Sequence, residues 1–197
     1  MTVAERQREV RRSRSRAATR ASILDAARRV AARSDARALS LRAVAAEAGF
    51  APAALYGYFR SKDDLLLALA AEDLAGLTRA MREGAPSADH GKLAAAAGTA
   101  LKLLQNTETL AAAMSALPAQ GVGGEAERVF NGKLIAALTA LSEASGKPAA
   151  TRQMQADIVL MAASLAGLAL LLRSGRLQAL GFSATDMIAA LARRFGL

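Results

Sequence analysis

Nothing limits what this chain can fold into more than the stretch from Ser40 to Lys62, S-L-R-A-V-A-A-E-A-G-F-A-P-A-A-L-Y-G-Y-F-R-S-K, which predicts two short helices and a tight turn. Ser40 is an N-cap whose hydroxyl can accept from the free N–H groups of a helix over Leu41 to Ala48. Leu41, Val44, Ala45 and Ala48 recur at i, i+3, i+4 and i+7, one apolar stripe, and Gly49 stands where a left-handed residue ends the helix. Pro52 suits the first turn of a second helix, expected to reach Phe59, because its missing N–H has no intrahelical partner there. Leu55 and Phe59 share a face of that helix, Tyr56 and Tyr58 flank it, and Ala53, Ala54 and Gly57 lie opposite. The outward face is small and nearly bare. It can approach another surface closely, and in a major groove its methyls can pack on thymine methyls. Ser61 then caps a third helix, with Asp64 three residues on and a stripe of Leu65, Leu66 and Leu69.

Charge is unevenly spread along the 197 residues. Residues 1–62 hold 14 Lys and Arg against 5 Asp and Glu, whereas residues 63–197 balance 12 against 12. The whole excess of +9 therefore travels with the helix-turn-helix pattern, as binding to a polyanion requires; a merely solvated basic face is the alternative. Cysteine is absent, which excludes disulfides, thiolate metal sites and Cys nucleophiles. The N-terminus is polar and arginine-rich rather than apolar, so the expected home is the cytoplasm.

Along the chain, residues 1–18 carry Arg6, Arg8, Arg11, Arg12, Arg14 and Arg16 with few apolar anchors and read as a mobile basic arm. Such an arm can follow phosphates or enter a narrow minor groove; a solubilising tail is the alternative, and anionic lipid a third partner for which it lacks a bulky apolar face. Ile23, Leu24, Ala27, Val30 and Ala31 make a stripe on a first helix over Arg20 to Ser34, giving a three-helix head over residues 19–65. Residues 66–197 form the second unit. A helix over 62–83 leaves the head, and Gly84 to Gly91 is a loop that contains His90, the sole histidine, which has no His or Cys to complete a metal site. An alanine-rich helical region over 92–116 breaks near Asn106 to Glu108, where Thr107 can cap a new helix. Gly121, Gly123 and Gly124 follow no strand and have the wrong spacing for a dinucleotide fingerprint. Further helices are expected over Glu125 to Ala144, Ala149 to Ser174 and Ala184 to Phe195, the last capped by Ser183.

Ile158 to Leu172 contains no charged residue, yet its fifteen positions are fewer than the ~20 needed to span a bilayer, and Asp157 and Arg173 close it at both ends. Apolar almost all round, it should be buried on every side, with Ala163 and Gly167 allowing close helix approach. A subunit interface is the expected burial site and ordinary core the alternative. No membrane span and no enzyme are read here: G-x-S-x-G, H-E-x-x-H and the P-loop are all missing, and Asp63 and Asp64 are explained by their helix N-terminus.

The order and spacing of Ala48, Gly49, Leu55, Tyr56, Tyr58, Phe59, Ser61, Lys62 and Leu65 resemble the DNA-binding segment of TetR-family transcriptional regulators. The resemblance reaches back through the helix near Arg20 to Ser34 and weakens beyond the third helix. It implies an all-α protein with an N-terminal three-helix helix-turn-helix head on a larger C-terminal helical ligand-binding and dimerisation domain. It further implies a homodimer, joined through the helices near 149–174 and 184–195, on a palindromic double-stranded DNA operator, and release of DNA on binding a small-molecule effector. No cofactor is implied. Carried over by position, Ser40 and Arg42 hold phosphate or reach a base, and Ala51, Pro52, Ala53 and Ala54 begin the recognition helix. Tyr56 and Tyr58 meet the DNA backbone, and Lys62 binds phosphate.

Ala51, Ala54 and Gly57 depart from the family's usual Ser or Thr, Thr and His, and each departure removes a polar group that can meet DNA. Few hydrogen bonds from this helix to bases are therefore expected, with more reliance on phosphate, methyl contacts, DNA shape, Arg42 and the arm. Leu101, Leu104, Met114, Phe130, Leu134 and Met161 are candidate walls of an effector pocket, with plain core as the alternative. The neutral C-terminal part leans toward a hydrophobic effector. The rival function is a basic helical protein that coats nucleic acid or anionic membrane without sequence preference.

Overall fold

The computed structural model describes residues 2–33, 39–84, 91–106, 109–116, 124–146 and 150–195. They form ten helices and no strand: α1 Val3–Arg33, α2 Leu41–Ala48, α3 Pro52–Leu55, α4 Lys62–Glu83, α5 Lys92–Asn106, α6 Thr109–Ala116, α7 Glu125–Ser145, α8 Arg152–Arg173, α9 Arg176–Ala179 and α10 Ala184–Phe195. The protein is all-α. His90, Thr107, Gly121 and Gly123 fall outside the described residues.

Helix ends follow their caps. Ser40 Oγ accepts from Ala43 N–H at 3.2 Å, and α2 stops at Gly49, whose φ of 73° is the left-handed conformation that suits glycine. At α4, Ser61 Oγ accepts from Asp64 N–H while the Asp64 carboxylate accepts from Arg60 N–H, a slightly displaced capping box. Thr151 caps α8, and Ser183 exchanges hydrogen bonds with Asp186 at the start of α10. Each cap satisfies N–H groups that the first turn leaves without intrahelical partners.

α4 is the axis of the molecule. It packs against α1 at one end and against α5, α6 and α7 along the rest. Seven consecutive residues, Leu65 to Ala71, are buried, so the helix is enclosed on every side where it passes from head to body. One apolar cluster accordingly runs from Ile23 and Leu24 in the head to Leu165 and Leu191 in the body.

The structure corrects three expectations. The segment read as a mobile arm is helix: α1 runs for 31 residues from Val3, not from Arg20. Ala, Arg, Glu and Gln are good helix formers, and this composition extends the helix although it has no core to join. The second helix is shorter than Pro52 to Phe59. α3 closes at Leu55, and Tyr56 to Phe59 continue as a turn in which Gly57, Tyr58 and Phe59 N–H donate to Ala54, Leu55 and Leu55 carbonyls. Finally, the apolar run of α8 is not buried on every side within one chain. Ile158, Met161, Leu165 and Ala169 are buried, but Val159, Leu160 and Leu170 are more than half exposed. Among the described residues α8 is the one helix long and apolar enough to cross a membrane, and its inner face packs on α5, α7 and α10.

Candidate nucleic-acid interface and apolar cavity

The head presents a tip whose inner side is fixed and whose outer side is open. Leu55 and Phe59 are fully or almost fully buried and anchor α3 and its turn, while Ala51, Pro52, Ala53, Ala54 and Gly57 are exposed. Ala51 makes no side-chain cap, as an alanine must, and Pro52 fills the first helical position. Tyr56 is 61% exposed, whereas Tyr58 is half-buried and packs against the core. Arg42 is exposed on α2, Ser40 lies at its start, and Lys62 opens α4 beside the turn.

Ion pairs hold this tip on its support. Arg29 and Arg33 of α1 both reach the Glu47 carboxylate on α2, Arg29 at 2.6 Å. These two hydrogen bonds, Arg29's above all, hold the Glu47 carboxyl below the ordinary glutamate range. Arg28 contacts Glu72 at 3.0 Å and Asp73 at 3.3 Å on α4. Burial pulls its guanidinium down, but the bonds to Glu72 and Asp73 outweigh this and leave it raised. Four of the arginines counted toward the basic front, Arg20, Arg28, Arg29 and Arg33, are thus paired with acids, and the excess charge is concentrated nearer the N-terminus.

Arg16 and Arg20 were missed as site residues from sequence. Arg16 Nη2 donates to the Gly57 carbonyl at 2.6 Å, and its guanidinium lies 5.1 Å over the Tyr58 ring. Arg20 lies 5.2 Å over the Phe59 ring. The signal was available, since continuing the Ile23, Ala27 stripe back by one and two turns lands on Arg20 and Arg16.

Beyond the head, a cavity of about 480 Å³ opens between α4, α5, α6, α7 and α8. Leu74, Leu77 and Met81 of α4 form one wall, and among the described residues Arg173 is the one charged member of its lining. Three of the six residues expected there, Leu104, Met114 and Leu134, line it. The others lie elsewhere. Leu101 is buried in the core about 100° around α5 from the cavity-lining Ala100. Phe130 is buried one turn before Leu134, and Met161 lines a separate pocket of about 360 Å³ with Ser145, Asp157 and Arg194. Missed from sequence were the α4 wall and the small residues of α8, including Ala162 and Ala166.

A short capped helix, a left-handed glycine and a second helix held by buried Leu55 and Phe59, all seated on α1, define a helix-turn-helix head of the DNA-binding class. Residues 23–69 match the family of bacterial regulatory proteins of the tetR type. Solved structures share the fold over most of the chain. A TetR transcriptional regulator from Rhodococcus sp. RHA1 superposes with a TM-score of 0.58 at 21% identity, over 89% of this chain and 93% of its own. The fatty acid degradation regulator FadR from Bacillus halodurans gives 0.56 at 20% identity, over 87% and 95%. FadR from Bacillus subtilis, solved with stearoyl-CoA, gives 0.58 at 19%, again over 87% and 95%. No match was found among curated protein sequences. Residues 23–69 are thus similar to the DNA-binding segment of tetR-type bacterial regulatory proteins, and most of the chain shares the fold of these solved regulators.

Proposed function

We propose that this chain is a DNA-binding transcriptional regulator of the tetR type, a dimeric repressor that leaves a palindromic operator when a small hydrophobic molecule enters the cavity between α4 and α8. The observation that carries the reading is the double role of α4. Its first turn adjoins the recognition turn, and its Leu74, Leu77 and Met81 wall the cavity, so a displacement of that wall is transmitted to the head by one rigid element. The nearly all-apolar lining supports a hydrophobic effector. In this reading residues 19–65 are the DNA-binding unit and 66–197 the effector and dimerisation unit.

Each head sets α3 in a major groove. Ala51, Pro52, Ala53, Ala54 and Gly57 approach bases, Ser40 and Arg42 meet phosphate or a base edge, and Tyr56, Tyr58 and Lys62 meet the backbone. Two subunits join through α8 and α10, which covers the exposed Val159, Leu160 and Leu170 and lets Ala163 and Gly167 approach a partner closely. Half-sites then lie about 34 Å apart or somewhat more. The working compartment is the cytoplasm, where the operator is.

Selecting duplexes from a random pool with the unaltered chain tests this, followed by gel shifts against scrambled competitor at fixed salt. The expected result is a two-fold-symmetric consensus bound by a dimer and released by an apolar compound found in a screen. Equal affinity for consensus and scrambled duplex sinks the reading and favours a non-specific coat.

A further inference from the structure

The N-terminal half of α1 is helix with nothing of its own to pack against. Residues 3–18 are exposed throughout, except that the helix becomes half-buried from Thr19 onward. Val3 and Val10, its two large apolar side chains, are 74% and 49% exposed. The stretch from Val3 through Arg20 holds seven arginines, Arg20 included, and two acids, Glu5 and Glu9. Glu5 is turned back on the Thr2 N–H at 2.6 Å. Among the described residues no ion pair engages Arg8 or Arg12.

Four of the arginines are spaced by four residues: Arg8, Arg12, Arg16 and Arg20. On a helix this spacing makes a ridge that advances about 6 Å and rotates about 40° per step, some 18 Å from end to end. The inner end of the ridge touches the recognition turn itself. Arg20 covers Phe59, and Arg16 covers Tyr58 and donates to the Gly57 carbonyl. The ridge therefore begins at the edge of the surface that faces DNA and runs outward from it. A duplex strand carries a phosphate about every 3.4 Å of axis, so phosphates can answer Arg8 and Arg12 at the outer end of the ridge, whereas Arg20 at its inner end is paired with Glu72. The absence of any bulky apolar stripe disfavours a lipid surface as the occupant.

We propose that α1 from Arg8 to Arg20 is a second DNA-binding element, in which Arg8 and Arg12 take phosphates flanking the half-site and Arg16 fastens the ridge to the recognition turn. This rests on α3 facing the groove and adds a contact outside the helix-turn-helix unit. The ridge contributes affinity without sequence preference, because phosphates are the same at every step. Glu9, about 60° around the helix from Arg12, flanks the ridge and opposes it.

The test uses the full chain and a duplex selected from a random pool by the unaltered protein. Affinity is measured from 50 to 200 mM salt for the unaltered chain, the R8Q/R12Q double variant and E9Q. Each is run on the selected duplex with long flanks and on the same duplex trimmed to its consensus. On long flanks, R8Q/R12Q should bind more weakly, with a log K against log salt slope smaller by about 1.8 for each bound subunit. E9Q should bind more tightly. On the trimmed duplex the three proteins should bind alike, and a selection repeated with R8Q/R12Q should return the same consensus. An unchanged salt slope overturns the proposal, as does an equal loss on both duplexes. So does a loss of affinity that tracks a fall in helix content by circular dichroism with the slope preserved. If no consensus emerges but the slope changes as stated on random duplex, the ridge stands and the operator-reading function falls.

Discussion

The Thr109 hydroxyl donates to one carboxylate oxygen of Asp73, while the Arg28 guanidinium sits 3.3 Å from the other. One side chain on α4 thereby ties α6, at the cavity, to α1, under the recognition turn. Thr109 is buried, and the Asp73 side chain is only 16% exposed, so removing the carboxylate takes a hydrogen bond and an ion pair from a site largely shielded from water. Asp73→Ala should lower unfolding free energy by about 1–3 kcal/mol, read from urea denaturation. Thr109→Val keeps the Arg28 contact and should lose less. Equal losses from the two variants would show that the Arg28 half of the node contributes nothing.

Stability should also depend on acid through Glu47. Its pKa is depressed in the folded chain by Arg29 and Arg33, so its contribution is present above the unfolded glutamate value and is lost as pH falls through the lower folded value. Asp186, held down by its hydrogen bonds from Ser183, acts in the same sense at the start of α10. Melting temperature should therefore drop as pH is lowered below the ordinary carboxylate range, and Glu47→Gln should flatten that drop while lowering stability at neutral pH. A pH profile identical in E47Q and the unaltered chain contradicts the assignment.

Two changes in the head separate folding from binding. Gly49 has open space where a Cβ would stand, so Gly49→Ala is penalised through its φ of 73° alone and should cost about 1–2 kcal/mol in chemical denaturation. Tyr56→Phe removes a hydroxyl from an exposed ring and should leave the melting temperature unchanged. Its affinity for a selected duplex should fall, and full retention would remove Tyr56 from the interface.

The cavity is tested by filling it. Leu134→Trp adds bulk into the space bounded by α4, α6 and α8 and should abolish binding of an apolar fluorescent dye while leaving affinity for the selected duplex intact. Release of that duplex by an effector should disappear together with dye binding. Dye bound as well by the filled variant would locate it on the exposed face of α8 instead.

Much of this was readable in advance because it is governed by local chemistry. Ser40, Ser61 and Ser183 cap the helices they precede, Gly49 turns the chain, and Leu55 with Phe59 points inward, each as spacing requires. What was not readable depended on length and on neighbours. The arginine-rich start has no apolar anchors, yet its residues favour helix once α1 is held by the buried Ile23 and Leu24. Leu101 and Phe130 are as apolar as Leu104 and Leu134, and only the packing of five helices decides which pair meets the cavity. The stripe of α1 puts Arg16 on its inner side, but its partner Gly57 lies 41 positions away, and no periodicity names it.

The open face of α3 has an evolutionary side. The side chains of Ala51, Ala53 and Ala54 are exposed, because Leu55 and Phe59 anchor the segment from behind. Side chains can therefore be swapped at the tip at little expense to the fold. On the proposed function, a descendant of this protein can acquire a new target sequence there while its body and its interior stay as inherited.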